Sequence, residues 1–317
     1  MFNWVIAMTK TAVILLTLCI ATAVSSAQTI TFTNARLTNR EVLLRFSSTG
    51  QVRVDFTTNL AQWHPLLSLT STGLNQHLDS ATPYLSQRFY RAQQLTGTSN
   101  IIGDWVTTTN GDILIRPITH ASFLMTWNGL VIYNDPDSPT SLYTGLPKAD
   151  LVLISHDHGD HFDQTALNLL TNVGCRIIAP QLVFNGMSTQ LRALTTVLTN
   201  GVTTNLLGLH IEAVPAYNAN HPRGNGNGYV VTIGGRRFYM SGDTGGTQEM
   251  RALPNIDVAF VCMNLPFTMS IPEAVTNVRA MRPRVVYPYH YSASDVNLFK
   301  RQVSNDLNIE VRLRKWY

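Results

Sequence analysis

A dense cluster of histidines and aspartates, directly after an apolar segment, constrains this chain more than any other feature. The run ADLVLIS ends at position 155, and HDHGDH follows it at positions 156–161. Side chains of an extended segment alternate, so His156, His158 and Asp160 share one side. His161 falls where the chain turns into the next element and faces a neighbouring point. With only nine histidines in the chain, chance clustering is improbable. The loop is predicted to supply ligands to two adjacent metal sites.

Further ligands are expected where other apolar strands end. Asp243 lies in FYMSGDTGG, His290 ends RVVYPYH, and His221 follows IEAVPAYNAN. A single histidine at a strand end is more often structural, but the three share one predicted edge of the sheet. Imidazole and carboxylate ligands suit zinc, iron or manganese. The sequence therefore predicts a centre built from these three residues and the histidine-rich loop.

The organisation of the chain indicates two modules after an export signal. One lysine is followed by the apolar run TAVILLTLCIATAV and by Ser-Ser-Ala, which predicts a signal peptide over 1–27. The apolar run is shorter than the roughly 20 residues that span a bilayer, so no stable membrane span is expected after cleavage. Residues 28–95 predict a small antiparallel β-module with strands ITFTNARL, EVLLRFSS, QVRVDFTT and QRFYRAQQL, and TGTSN at 96–100 predicts a linker.

From position 101 to 317 strands alternate with helices. Helices are predicted at DQTALNLLTNV and from about Pro272 to Met281, and a hairpin is predicted around Gly234 and Gly235. Such alternation, with hairpins mixed in, indicates a layered α/β domain with a mixed sheet. Cys175 and Cys262 lie in apolar strand-like runs, and we expect buried thiols rather than a disulfide.

The motifs together resemble the metallo-β-lactamase superfamily of hydrolases. The resemblance rests on HxHxDH, the downstream histidine, SGDT and PYHY, and it implies the four-layered αββα fold. The segments THASFLMTWNGLVIYNDP and VPAYNANHPRGNGNGYVV are similar to the branch of ascorbate-6-phosphate lactonase-like and N-acyl-phosphatidylethanolamine phospholipase D-like proteins. Thr119 replaces a glycine usual in that branch, and NLPFTMS replaces a glycine-rich loop.

The resemblance implies a role for each matching residue. One metal would be held by His156, His158 and His221, and the second by Asp160, His161 and His290, with Asp243 between them. His120 and Asp135 match the opening motif and would support the site. Asp243 also favours lactonase, thioesterase or phosphodiesterase chemistry over true β-lactamase activity.

The expected activity follows from these ligands. Two divalent ions, zinc first and manganese or iron as alternatives, would hold a hydroxide that attacks an ester-like bond in a lactone or phosphodiester. Asp160 or Asp243 would orient it and accept its proton, while Asp157, Thr244 or backbone carbonyls are candidates for fixing the imidazole tautomers.

Other functions fit the sequence less well. The main alternative is a metal-binding or scaffold protein without catalysis, which the complete ligand set disfavours. A di-iron redox enzyme would be expected to show HxExDxH. The net charge of +4 and scattered basic residues argue against nucleic acid as a partner. We therefore expect a small-molecule substrate and a periplasmic or extracellular location, with the oligomeric state left open.

Overall fold

The computed structural model describes residues 5–9, 12–16, 31–38, 41–80, 87–95, 102–304 and 308–317. The predicted linker at 96–100 and the predicted cleavage point after Ala27 lie outside these residues, as does Cys19. The chain separates into two compact units, Met1–Thr107 and Thr108–Tyr317.

The first unit is built from antiparallel strands. In its described residues these are β1 (Val5–Thr9), β2 (Ala12–Leu16), β3 (Thr31–Thr38), β4 (Glu41–Thr57), β5 (His64–Asp79), β6 (Gln87–Gln94) and β7 (Gly103–Val106). They pair in the order β7-β5-β4-β6-β1-β2, and β3 also pairs with β4. Alternate residues of β4 point into the core, among them Val42, Leu44 and Phe46.

The prediction of two strands around a turn at 49–50 was wrong. EVLLRFSS and QVRVDFTT form one strand, β4, because Ser47–Gln51 pair without interruption with residues 70–74 of β5. Of the aromatic residues in this unit, Tyr90 belongs to the core, whereas Trp63 is half-buried beneath the guanidinium of Arg91.

The second unit contains two mixed sheets. The strands of the first are β8 (Ile113–Thr119), β9 (Ser122–Trp127), β10 (Leu130–Asn134), β11 (Leu151–Leu153), β12 (Arg176–Ala179) and β13 (Thr195–Val197). Those of the second are β14 (Thr203–Leu206), β15 (Leu209–Ala216), β16 (Gly226–Ile233), β17 (Arg236–Met240), β18 (Val258–Cys262), β19 (Val285–Tyr289) and β20 (Glu310–Val311). Strands β10 to β13 run parallel, as do β17 to β20.

The helices pack against these sheets. They are a 3-10 helix (Thr140–Tyr143), α1 (Gln164–Leu170), α2 (Gln181–Gly186), α3 (Thr189–Leu194), α4 (Gln248–Arg251), α5 (Ile271–Met281) and α6 (Val296–Ser304). Helices α2 and α3 contact the edge of the first sheet, and α6 contacts β20 and α5. The predicted helices at α1 and α5 are confirmed. The short helices α2 and α3 were not predicted, since six residues show too little periodicity.

Aromatic side chains join the two sheets into one core. Phe123 of β9 stacks on Phe260 of β18 with ring centroids 4.1 Å apart, and the buried ring of Trp316 meets both edge-on. This is the layered α/β arrangement that the sequence predicted. The hairpin at Gly234–Gly235 is confirmed by the pairing of Ile233 with Arg236.

The environment of the cysteines and the length of the helices bear on two further predictions. Cys175 and Cys262 are both free and fully buried, as expected. Within the described residues, none of the helices has the length and apolar character needed to span a bilayer.

Candidate metal centre

The histidines and aspartates of the predicted centre follow the carboxyl ends of neighbouring strands. Asp135 follows β10, the loop at 156–161 follows β11, Asp243 follows β17, and His290 follows β19 directly. Because β10 and β11 are parallel, as are β17, β18 and β19, their carboxyl ends lie at one edge of each sheet. His221 reaches the same place from the loop after β15.

All seven predicted ligands come together there, and their ligand atoms form overlapping groups. One group holds His156, His158 and His221, and a second holds His156, His161 and Asp243. The third holds Asp160, His161 and His290 together with His120. Asp243 lies between the first and third groups, with its carboxylate 3.7 Å from Nε2 of His221 and 3.2 Å from Nε2 of His290.

The chemistry of the donor atoms fits cations. Nε2 of His156, Nε2 of His161, both ring nitrogens of His290 and Oδ1 of Asp243 are buried and make no hydrogen bond. A buried polar atom without a partner is costly. The carboxylate of Asp243 lies 3.2 to 4.0 Å from a ring nitrogen of each of four imidazoles, and imidazole with carboxylate is a donor set that zinc, iron and manganese accept.

Asp135 and Ser155 fix the orientation of two of these imidazoles. Nδ1 of His161 lies 2.9 Å from Oδ2 of Asp135. The same carboxylate accepts from the backbone N–H and the hydroxyl of Ser155, at 2.7 and 2.8 Å. The hydroxyl oxygen of Ser155 in turn lies 2.9 Å from Nδ1 of His156. With Nδ1 of both rings engaged, Nε2 of His156 and of His161 is left for a cation.

Asn218 has the corresponding role for His221, and sequence reasoning did not identify it. Its Oδ1 atom lies 2.9 Å from Nδ1 of His221 and also accepts from the His221 backbone N–H. The motif HxHxDH does not include this residue. Asparagine is common in turns, so an asparagine three positions before a histidine does not by itself indicate a contact with a metal ligand.

His120 contacts the site from its outer side. Its Nε2 lies 2.9 Å from Oδ2 of Asp160, and its Nδ1 lies 2.7 Å from the hydroxyl of Tyr317. Since the carboxylate only accepts, Nε2 of His120 donates to Asp160, and in the neutral imidazole Nδ1 accepts from the hydroxyl of Tyr317. Tyr317 was not predicted and has no motif of its own.

Two predicted supporting residues do not contact an imidazole. Thr244 makes its hydrogen bonds with the backbone of Tyr217 and Gly245. Asp157 is exposed and lines the opening beside His156 and His221. Contacts to Nδ1 of His156, His161 and His221 are made by Ser155, Asp135 and Asn218.

Burial and neighbouring charges both shift the pKa values of groups in the centre. Burial alone would raise the pKa of Asp243, but the positive fields of His161 and His290 outweigh it and hold that pKa well below its usual range. Burial and the neighbouring charge of His161 lower the pKa of His156. A cation and a proton compete for the same imidazole nitrogens, so cation binding here strengthens as the pH rises.

The backbone holds strained conformations around the centre. His120, Asp135 and His290 have left-handed φ values of 48°, 40° and 46°, which cost about 1 to 3 kcal/mol each for residues with a Cβ atom. Gly242 is also left-handed, and an added Cβ there would lie 2.8 Å from the carbonyl oxygen of Asn227 and 3.1 Å from Cβ of Ser155. Glycine is thus required at this point to bring Asp243 against the histidine-rich loop.

Known proteins resemble this chain over the same region. Residues 114–290 match the family model described as the beta-lactamase superfamily domain. A UPF0173 metal-dependent hydrolase from Thermococcus kodakarensis is 31% identical over 222 residues, which cover 63% of this chain and 96% of the relative. Another, from Thermococcus onnurineus, is 32% identical over 175 residues, which cover 51% of this chain and 78% of the relative.

Solved structures of other proteins are also similar to this chain. A crystal structure from Parabacteroides distasonis, assigned as a metal-dependent hydrolase, superposes with a TM-score of 0.63 at 36% identity and covers 68% of this chain and 99% of its own. The metallo hydrolase Igni18 from Ignicoccus hospitalis superposes with a TM-score of 0.56 at 25% identity, covering 63% and 94%. The metallo-beta-lactamase fold protein YhfI from Bacillus subtilis superposes with a TM-score of 0.54 at 14% identity and so shares its fold with this chain.

Proposed function

The chain belongs to the beta-lactamase superfamily of metal-dependent hydrolases, and on that premise we propose that it uses two divalent ions to hydrolyse an ester-like bond in a small molecule. The bond is that of a lactone or a phosphodiester, and the ions are zinc. Within the superfamily we place the chain beside the ascorbate-6-phosphate lactonase-like and N-acyl-phosphatidylethanolamine phospholipase D-like proteins, on the residues of its THAS…DP segment.

One observation carries the proposal. Four side chains from three strand ends, His156, His161, Asp243 and His290, have buried nitrogen or oxygen atoms without hydrogen bonds and belong to overlapping groups of possible metal ligands. A protein that used these residues only for packing would leave several polar groups unsatisfied in its interior. Ligation of cations removes that cost.

The ligands divide between two ions. His156, His158 and His221 would hold one, Asp160, His161 and His290 the other, and Asp243 would contribute to both. When bound, such ions lower the pKa of a coordinated water towards 7 and polarise the carbonyl or phosphoryl oxygen under attack.

The aspartates and the asparagine of the centre have separate roles in the proposed reaction. Asp160 is 49% exposed, so it reaches substrate and solvent, while its carboxylate is held by His120. It is the residue placed to accept a proton from the attacking water and pass it outwards. Asp243 is buried and orients the attacking water from the inner side. Asp135 and Asn218 keep the imidazoles fixed, so that little reorganisation is needed during the reaction.

Metal content of the purified protein tests the proposal. We expect about two zinc ions per chain, and fewer in Asp243→Ala and His158→Ala, both of which should lose hydrolysis of lactone and phosphodiester probes. His210→Ala is the matched control, because His210 contacts Asn205 and Glu212 outside the centre. A wild-type protein that takes up no metal after reconstitution would contradict the proposal and favour a non-catalytic role.

We further propose that residues 1–27, which include β1 and β2, are a cleaved export signal, so that these two strands are absent from the mature protein, and that 28–95 and 101–317 are the mature modules. Expression with the native N-terminus, followed by fractionation and N-terminal sequencing, tests this. A chain beginning at Gln28 in the periplasm or medium is expected, whereas an uncleaved chain in the cytoplasm would contradict it.

A further inference from the structure

His120 lies beside the residues that would hold the second ion, yet it has not been assigned as a ligand. One of its ring nitrogens lies within 4.8 Å of ligand atoms of Asp160, His161 and His290. Its ring also packs on the ring of His290, with centroids 3.8 Å apart. Two roles are therefore open to His120, that of a further ligand and that of a hydrogen-bond donor to the ligand Asp160.

The partners of its two ring nitrogens distinguish these roles. Nε2 of His120 lies 2.9 Å from Oδ2 of Asp160, and Nδ1 lies 2.7 Å from the hydroxyl of Tyr317. A neutral imidazole has one donor and one acceptor nitrogen, and the hydrogen bond at one nitrogen sets which of them can bind a metal. When Nδ1 accepts from Tyr317, Nε2 carries the proton and has no lone pair to offer to a cation.

The backbone beside Tyr317 is anchored in the core. The preceding residue, Trp316, is 1% exposed, and its ring meets those of Phe123 and Tyr289 edge-on, with centroids 5.9 and 5.8 Å apart. The carbonyl oxygen of Trp316 accepts from the backbone N–H of His120 at 3.0 Å. The segment that carries Tyr317 is thus tied directly to His120.

The ring of Tyr317 is oriented by two aromatic neighbours. It lies edge-on to the imidazole of His120, with centroids 5.6 Å apart, and edge-on to the ring of Tyr291, at 5.1 Å. On the other side of His120, its carbonyl oxygen accepts from the backbone N–H of His290 at 3.1 Å. The hydroxyl of Tyr317, the imidazole and the ligands of the second ion are therefore held in a fixed relation.

We propose that Tyr317 is a positioning residue that keeps His120 out of the ligand set of the second ion. Its hydroxyl donates to Nδ1 of His120, so that Nε2 donates to Asp160 and does not bind the cation. Asp160 is thereby held for its proposed role as proton acceptor, and one fewer side chain competes with water and substrate for the ion. This inference rests on the proposed function, since it needs an ion at the second site.

The visible absorption spectrum of the cobalt-loaded full chain tests the inference without relying on turnover. In Tyr317→Phe the ring remains but the hydroxyl is lost, so Nδ1 of His120 is free to carry the proton and Nε2 to join the ligands. We expect a changed cobalt spectrum in this variant and a kcat about tenfold lower for a lactone probe.

Tyr291→Phe is the matched control for the loss of a hydroxyl. The hydroxyl of Tyr291 donates to the carbonyl oxygen of Arg314 at 3.3 Å, whereas its ring makes the contact with Tyr317. The phenylalanine keeps that ring contact. The cobalt spectrum of Tyr291→Phe should therefore be that of the wild type.

His120→Gln separates the proposed role from a general effect on packing. The amide of glutamine has its own N–H donors for Asp160, and it does not depend on Tyr317 to supply them. Adding Tyr317→Phe to His120→Gln should therefore leave the cobalt spectrum of His120→Gln unchanged.

Identical spectra in the wild type and Tyr317→Phe would overturn the inference and leave the proposed function standing. A spectral change between His120→Gln and H120Q/Y317F would do the same, because the effect of Tyr317 would not pass through the imidazole. A changed spectrum in Tyr317→Phe alone, without hydrolysis of any ester by the wild type, would support the inference and contradict the proposed function. A wild-type chain that binds no cobalt would contradict both.

Discussion

Oδ2 of Asp135 lies 2.9 Å from Nδ1 of His161, and both side chains are completely buried. Through the hydroxyl of Ser155 the same carboxylate is connected to His156. A carboxylate that is not itself a ligand thereby fixes one imidazole of each proposed metal site. This relationship explains why Asp135 is held in a strained left-handed conformation.

Asp135→Asn should weaken metal binding. The amide leaves the packing intact but offers a neutral oxygen in place of the carboxylate, so the basicity and orientation of His161 are reduced. We expect the affinity for zinc to fall about 10- to 100-fold, measured by titration against a competing chelator. Asp112→Asn, before β8 and away from the centre, is the matched control. Equal affinities for zinc in the wild type and Asp135→Asn would contradict this role.

Asn218→Ala should affect the site of His221 selectively. The variant loses the acceptor for Nδ1 of His221 and the hydrogen bond to Phe267, whereas Asn220→Ala loses only the hydrogen bond to Pro266. We expect about a tenfold lower affinity for the more weakly held ion in Asn218→Ala and near-normal affinity in Asn220→Ala. If both variants lose the same affinity, the effect comes from the hydrogen bonds to Pro266 and Phe267 and not from the histidine.

Gly242→Ala should destabilise the fold. Its Cβ would lie 2.8 Å from the carbonyl oxygen of Asn227 on a left-handed backbone with φ of 59°. We expect a loss of about 2 to 4 kcal/mol in the free energy of unfolding, measured by urea denaturation of the metal-free protein. Gly201→Ala has a similar φ of 79° with open space around its Cβ, so it should lose only about 1 kcal/mol.

The two buried thiols should be unreactive in the native protein. Burial raises the pKa of Cys175 to about 12 and that of Cys262 to about 11. A raised pKa means that the thiolate, which is the reactive form, is scarce at pH 8. In a Cys19→Ser background, dithionitrobenzoate should label neither thiol at pH 8 until denaturant is added, and then both. Rapid labelling under native conditions would contradict their burial.

The sequence by itself determined the chemical kinds of side chain in the centre and their positions at strand ends. Apolar runs before His156, Asp243 and His290 predict strands because alternation and length are local properties. A glycine after an apolar strand likewise predicts the sharp turn that precedes Asp243. The layered α/β fold and membership of the hydrolase superfamily follow from the same short motifs, and the family match confirms them.

Only the tertiary structure decided which atoms meet. Asp135 and His161 are 26 residues apart, and Asn218 hydrogen-bonds to Phe267, 49 residues away, so no local pattern connects either pair. Thr244 follows Asp243 directly in the sequence, but its hydroxyl accepts from the backbone N–H of Tyr217. Successive side chains of an extended segment face opposite ways. The partners that orient a ligand are set by packing between the two sheets, and spacing along the chain carries no information about such contacts.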